Sequence, residues 1–259
     1  FHCVLIVGVN GARGAERGGS ARRSPRSPAA APGPPPKSST RPAAEDSEET
    51  ELYYYGIEES ERGLASCGAG AACAALLRRY WQPRALLRLC RCGRRHRCDT
   101  PAPADHHIQL NNRATLQFCK PITDWPECKI TDVPLTVAST LERMNPDEIE
   151  SLHHRNIQLA PPTVTVSCRC RQPFYWKLHA ANDTHHSYRC ASLPPCRPGE
   201  FCGNVSDDLQ SLYQSCLCPA NHMCVHDGGI SHVQISELLY SGRGWRAYCR
   251  PISESYEDY

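Results

Sequence analysis

The clearest periodic stretch in the chain is Thr163-Val164-Thr165-Val166-Ser167-Cys168-Arg169-Cys170, where Thr and Ser alternate first with Val and then with Cys. Period-2 alternation is the mark of a half-buried β-strand, and Tyr175 and Trp176 follow on what should be the same sheet. Two apolar runs, Ala74-Ala75-Leu76-Leu77 and Ala85-Leu86-Leu87, flank Gln82-Pro83. Proline interrupts a single helix there, so the pattern predicts a hairpin tied near its base by Cys73 and Cys90, with a short helix as the alternative. Further on, Ile230 to Tyr240 carries Val233, Ile235, Leu238 and Leu239 as another strand. Gly242-Arg243-Gly244 reads as a turn into a closing strand over Trp245-Arg246-Ala247-Tyr248-Cys249. Only Asn145 to Leu152 has helical character, with Asn145 as N-cap, Pro146 at the first helical position and Asp147 and Glu148 in the first turn. These elements predict an all-β fold.

Cysteines organise the pattern. From Cys67 they fall as Cys67, Cys73, Cys90, Cys92, Cys98 and Cys119, spaced C-x5-C-x16-C-x-C-x5-C-x20-C and closing on Lys120-Pro121-Ile122. The frame returns as Cys196, Cys202, Cys216, Cys218, Cys224 and Cys249, spaced C-x5-C-x13-C-x-C-x5-C-x24-C and closing on Arg250-Pro251-Ile252. Between the copies, Cys128, Cys168, Cys170 and Cys190 keep the C-x-C pair and lack the two x5 pairs. An EGF-like register from Cys190 to Cys224 is an alternative for the third copy, but its last loop is short and it leaves the Pro-Ile ending unexplained. The C-x-C segments read as strands whose two sulfurs, at i and i+2, face one side and bond to different partners. Six cysteines allow 15 pairings, so connectivity stays open.

Sixteen of the 17 cysteines lie on these frames, which points to a disulfide framework in an oxidising compartment; Cys3 stands apart. Four Phe and two Met give modules of this size little core of their own, and eight disulfides at about 2–4 kcal/mol each would replace it. Asn182-Asp183-Thr184 and Asn204-Val205-Ser206 fit the N-glycosylation pattern and agree with secretion. Phe1 to Gly8 reads either as the tail of a truncated apolar signal segment or as an artefact of the gene model. No apolar run reaches the roughly 18 residues of a membrane span.

The modules follow a segment of different character. Residues 10–50 are rich in Pro, Ser, Gly and Ala and hold almost nothing that packs, so 1–63 is expected to be disordered. Its charge changes sign: residues 1–44 hold seven Lys and Arg against one Glu, whereas Glu45 to Glu61 hold eight acids and no base around Tyr53-Tyr54-Tyr55. Such a block is a solvated tail, a tyrosine-sulfation site or an arm that masks a basic surface. The expected order is then a basic six-cysteine module over 64–122, a four-cysteine module over 123–190, a six-cysteine module over 191–252 and an acidic tail over 253–259.

Chemistry narrows the function. No nucleophile elbow, H-E-x-x-H or phosphate loop is present, and disulfide sulfurs are not thiolate nucleophiles, so no enzyme, metal site or cofactor is expected. The doublets His106-His107, His153-His154 and His185-His186 read as exposed loop residues rather than zinc ligands. Charge is the remaining signal. Residues 64–122 hold nine Arg against two Asp, whereas 191–252 hold four Arg and five acids. Arg78, Arg79, Arg84, Arg88, Arg91, Arg94, Arg95 and Arg97 form a candidate surface for an acidic protein or heparan sulfate, since the guanidinium fork suits carboxylate and sulfate. Nucleic acid is not an expected partner of an extracellular chain.

Leu89-Cys90-Arg91-Cys92, Gln109-Leu110-Asn111-Asn112-Arg113-Ala114, Phe118-Cys119-Lys120-Pro121-Ile122, Trp125-Pro126-Glu127-Cys128 and Cys216-Leu217-Cys218-Pro219 resemble the secreted giant-lens (Argos) family of arthropod proteins over about residues 64–252. The resemblance implies a secreted antagonist of EGF-receptor signalling, a developmental regulator that sequesters an EGF-like protein ligand between small disulfide-bonded β modules. It assigns no contact residues. A venom-type toxin acting on an ion channel and a heparan-sulfate-binding matrix protein are the alternatives.

Overall fold

The computed structural model describes residues 49–55, 60–79, 82–139, 149–151, 154–155, 159–209, 211–226 and 232–252. Its described residues form three sheets. The first, ordered β1-β3-β2-β5-β4, comprises β1 (Thr50–Tyr54), β2 (Ala72–Leu77), β3 (Arg84–Arg88), β4 (His107–Gln109) and β5 (Ala114–Phe118). The second, β7-β6-β9-β8, holds β6 (Leu135–Ala138), β7 (Thr163–Val166), β8 (Tyr175–Ala181) and β9 (His185–Ala191). The third runs β11-β10-β14-β12 with β13 also on β14; these are β10 (Phe201–Ser206), β11 (Leu212–Gln214), β12 (His222–His226), β13 (Val233–Glu237) and β14 (Tyr240–Pro251). The all-β expectation holds. The predicted hairpin is β2–β3, paired antiparallel from Ala74↔Arg88 to Leu77↔Ala85, and the Thr-Val alternation is β7.

Eight disulfides follow one rule in all three sheets. The first cysteine of each C-x-C pair bonds back to the opening cysteine, giving Cys67–Cys90, Cys128–Cys168 and Cys196–Cys216. The second bonds forward to the closing cysteine, giving Cys92–Cys119, Cys170–Cys190 and Cys218–Cys249. The x5 pairs supply one extra bond in the first and third copies, Cys73–Cys98 and Cys202–Cys224. The hairpin is therefore tied by Cys67 and Cys98 rather than between Cys73 and Cys90. Cys190 pairs with Cys170, which removes the EGF-like register.

The C-x-C segments are not strands. Each central residue instead makes one isolated parallel bridge, Arg91 to Ser66, Arg169 to Glu127 and Leu217 to Pro195. The hydrogen bonds repeat as well: the central N–H donates two residues ahead of the opening cysteine, and the central carbonyl accepts from that cysteine's N–H at 2.8–3.2 Å. Two disulfides leaving in different directions hold this residue, so the ladder cannot extend. A second departure is Gly242-Arg243-Gly244, which lies within β14; the chain turns at Leu238-Leu239 instead. Gly244 serves close approach, since a Cβ there would come within 2.2 Å of Ile235 and 2.4 Å of the Val205 carbonyl oxygen.

A third departure concerns the N-terminal segment. Thr50–Tyr54 pairs in parallel with β3, so the disorder expected over 1–63 does not extend to this stretch; Tyr53 and Tyr55 supply the apolar contacts that an acid count misses. Residues 1–48, Cys3 and the acidic tail fall outside the described residues, as does the Asn145 cap of the expected helix, of which 149–151 are helical.

The sheets share one core. Leu87 and Leu116 of the first, Leu135, Val164 and Tyr188 of the second, and Tyr213, Ile235 and Tyr240 of the third belong to a single buried cluster. Each small module thus gains a core by packing on its neighbours as well as from its disulfides. Between the first and second sheets, Val166 donates its N–H to the Gly70 carbonyl at 2.9 Å. Gly70 holds φ of +69, and a Cβ there would meet the Val166 carbonyl oxygen at 2.5 Å. Gly70→Ala should therefore cost on the order of 2 kcal/mol, read as a lower urea midpoint at unchanged slope.

Candidate protein-binding interface

The eight arginines of the basic stretch differ in burial and do not all lie exposed. Alternation along β3 sets Arg84 and Arg88 on the face of Leu86, where Arg88 is buried, donates to the Cys98 carbonyl at 2.7 Å and lies 3.5 Å from Glu61. Arg79 is enclosed by the acidic segment: it pairs with Glu51 at 2.6 Å, donates to the Tyr53 hydroxyl at 3.1 Å and to the Pro83 carbonyl at 2.8 Å. The Tyr53 hydroxyl donates to Glu51 at 2.8 Å. That bond and the Arg79 guanidinium lower the Glu51 carboxyl pKa. A lowered folded pKa adds stability above the ordinary carboxylate range, lost as pH falls through the folded value. Arg78, Arg91, Arg94, Arg95 and Arg97 are exposed, the last four on one loop after β3.

Charge counting missed a second surface. Cross-strand register on the third sheet places Phe201 of β10, Tyr248 of β14 and Val225 of β12 in one row. Arg250 faces Met223 in the next row on the same side, and Arg246 faces Asn204. The opposite side carries Ala247 and Cys249, both fully buried among disulfides. Phe201 and Tyr248 meet edge to face at 6.1 Å, and the Arg250 guanidinium lies 5.9 Å above the Tyr248 ring. Phe201, the first residue of β10, is 37% exposed and Met223, the second residue of β12, is 43% exposed, each paired across to β14. Aromatic residues, Met and Arg without an acid are the composition of an interface core. The sequence signal was Arg246-Ala247-Tyr248-Cys249-Arg250: with Cys249 turned inward, the two arginines and the tyrosine must face out.

The motif residues lie elsewhere. Gln109 to Ala114 forms the turn between β4 and β5, where the Asn111 carboxamide oxygen accepts from Arg113 and Ala114 at 2.9 and 2.7 Å. Buried Arg113 reaches Asp208 at 2.5 Å, and Asn112 accepts from the Leu212 N–H at 3.3 Å, joining the first and third sheets. Phe118 packs edge to face on Trp125 at 5.0 Å, and Ile122 is buried. Its counterpart Ile252 is 52% exposed. Asn111, Asn112, Arg113, Phe118, Ile122 and Trp125 thus join or cover the sheets.

Asn182 is exposed at the β8–β9 hairpin, where its side-chain oxygen accepts from Thr184 and His185 at 3.0 and 2.7 Å. Asn204 is half-buried on β10, and Ser206 of its triplet is buried. The histidines are not all in loops. His106 lies 3.1 Å from the Phe118 carbonyl, His107 starts β4, and His186 is buried on β9 beside Tyr188; His154 is exposed, and His153 falls outside the described residues. The grouped cysteine sulfurs, such as Cys67, Cys92 and Cys119, are all disulfide-bonded and offer no thiolate. No described helix is long and apolar enough to cross a membrane.

No family model matches the chain, and no curated protein matches it. Among solved structures it is similar to the crystal structure of unliganded Argos, at 19% sequence identity over 78% of this chain and 98% of that chain, with a TM-score of 0.48.

Proposed function

We propose that this chain is a secreted, non-enzymatic binding protein that sequesters an EGF-like growth factor, thereby antagonising EGF-receptor signalling, and holds it on the outer face of the third sheet. The observation that carries a binding role is the row Phe201, Tyr248 and Val225, with Met223 beside it and Arg246 and Arg250 at its margins. Rigid strands hold these side chains, and the disulfide-packed opposite side fixes the strands, so binding costs little ordering. The ligand class is what the motif resemblance to the giant-lens family implies, and the two arginines favour an acidic patch on it. A glycan on Asn182 leaves this face clear; one on Asn204 borders it.

Titration with an EGF-like ligand should give a complex at micromolar concentration or below. Phe201→Ala and Tyr248→Ala should each weaken it by about ten- to thirtyfold, as buried aromatic anchors do. Absence of a complex sinks the growth-factor reading, while a complex indifferent to both variants moves the site off this face. The exposed Arg91, Arg94, Arg95 and Arg97 favour a second reading, heparan sulfate. That reading predicts heparin retention lost with salt and no discrete protein partner. A channel-directed toxin would act in a recording with no growth factor present.

A further inference from the structure

We propose that the outer edge of β3 is a strand-acceptor site for an acidic extended segment of a partner protein, of the form Glu-x-aromatic-x-aromatic, and that β1 is the chain's own occupant of it. The register runs from Thr50↔Arg84 to Tyr54↔Arg88, so Glu51 and Tyr53 share a face with Ala85 and Leu87. On that face Tyr53 packs on the core, Tyr55 enters it, and Arg79 receives both the Glu51 carboxylate and the Tyr53 hydroxyl. One cation and an apolar strip thus read an acid followed by aromatics at alternate positions. Thr50 and Leu52 face the other way, into a groove of about 470 Å³ with Arg88, His96 and Arg97 on its wall. Leu52 is 53% exposed there, so that face places little demand on the sequence.

The occupant is built to be exchanged. Among the described residues no disulfide lies ahead of Cys67, whereas β2 carries Cys73 and β3 is followed at once by Cys90. Among the described residues β1 pairs with one strand only, with one further backbone bond just after it from the Leu159 N–H to the Tyr55 carbonyl at 3.0 Å, and its Glu51–Arg79 ion pair is exposed on the carboxylate side. An unoccupied β3 edge presents a row of N–H and C=O groups, such as the Arg84 N–H that donates to the Glu49 carbonyl at 2.9 Å. Only another strand satisfies such a row, which selects a peptide over a sulfated polysaccharide. A tethered occupant lowers the apparent affinity of a competitor in proportion to the time the edge is closed. This inference does not depend on the third-sheet face or on the growth-factor reading.

The test uses the full chain and a labelled peptide with the sequence of residues 49–55, followed by fluorescence anisotropy. The chain carrying Glu51→Lys and Tyr53→Ser should bind the peptide about tenfold or more tighter than the unaltered chain does, and adding Arg79→Glu should remove the gain. Equal binding by the unaltered and loosened chains overturns the proposal, as does binding that survives Arg79→Glu. Self-association of the loosened chain without peptide binding also overturns it, because the acceptor then serves a second copy. Hydrogen exchange on the unaltered chain gives a readout that needs no variant. The β1 amides and the Arg84 amide should exchange about tenfold or more faster than those of β2 and β5, and equal protection rules out displacement.

Discussion

Replacing Cys202 and Cys224 together by alanine lowers stability by about 3 kcal/mol and leaves the fold in place, whereas the same change at Cys196 and Cys216 costs more. Loop closure alone does not separate them. The two bonds span 22 and 20 residues, and the chain-entropy relation assigns each about 3 kcal/mol. What differs is the structure each bond holds. Cys196–Cys216 brackets the isolated bridge at Leu217, whose two hydrogen bonds, at 2.8 Å each, are the only described backbone link of that residue to the opening segment. Losing that link adds about 1–2 kcal/mol. Cys202–Cys224 has no counterpart in the four-cysteine copy, which nevertheless forms a complete sheet with the other two bonds. Urea unfolding of both double variants, without reductant, measures the difference. Equal midpoints would show that the bridge contributes nothing beyond the cross-link. Full reduction removes all eight bonds and should unfold the chain, with collapse of the near-ultraviolet circular dichroism as the readout.

The cysteine frame and the local alternation carried most of the fold. Thr163 to Val166 is a strand for the reason its pattern implies, and the repeat of the frame announced three related units. Connectivity was illegible because equal spacings permit every pairing; the rule appears only once Arg91, Arg169 and Leu217 are seen making the same bridge. The candidate surfaces were less legible still. Counting arginines cannot tell Arg88, buried beneath its own loop, from Arg91, which is exposed, since only strand direction and the loop's return separate them. Glu51 reads as one acid in a solvated run until Arg79 is placed beside it. Phe201 and Tyr248 lie in distant parts of the chain, and only antiparallel register sets them in one row. Motif resemblance pointed to Asn111, Arg113 and Trp125, which join and cover sheets, and left the proposed binding face unmarked.

Removing the Tyr188 side chain should be the most damaging single substitution outside the disulfides, because this residue joins two sheets in two ways. Its ring is fully buried on β9, opposite Leu135 of β6, within the core common to all three sheets. Its hydroxyl accepts the Leu238 N–H at 2.6 Å, across to the third sheet. Leu238 is itself under strain: it holds a φ of +50, costly for a branched side chain, in the turn between β13 and β14, and is buried there. The tyrosine hydroxyl meets the N–H that this conformation turns inward. Tyr188→Ala loses both the ring and the bond, and should cost about 3–5 kcal/mol, the range for emptying a buried aromatic site. Tyr188→Phe keeps the ring and leaves a buried N–H without its acceptor, at about 1–3 kcal/mol. Comparing the two by urea unfolding separates packing from hydrogen bonding. Amide exchange at Leu238 should rise in the phenylalanine variant while β6 stays protected, and an unchanged Leu238 amide would show that the hydroxyl does not hold the turn.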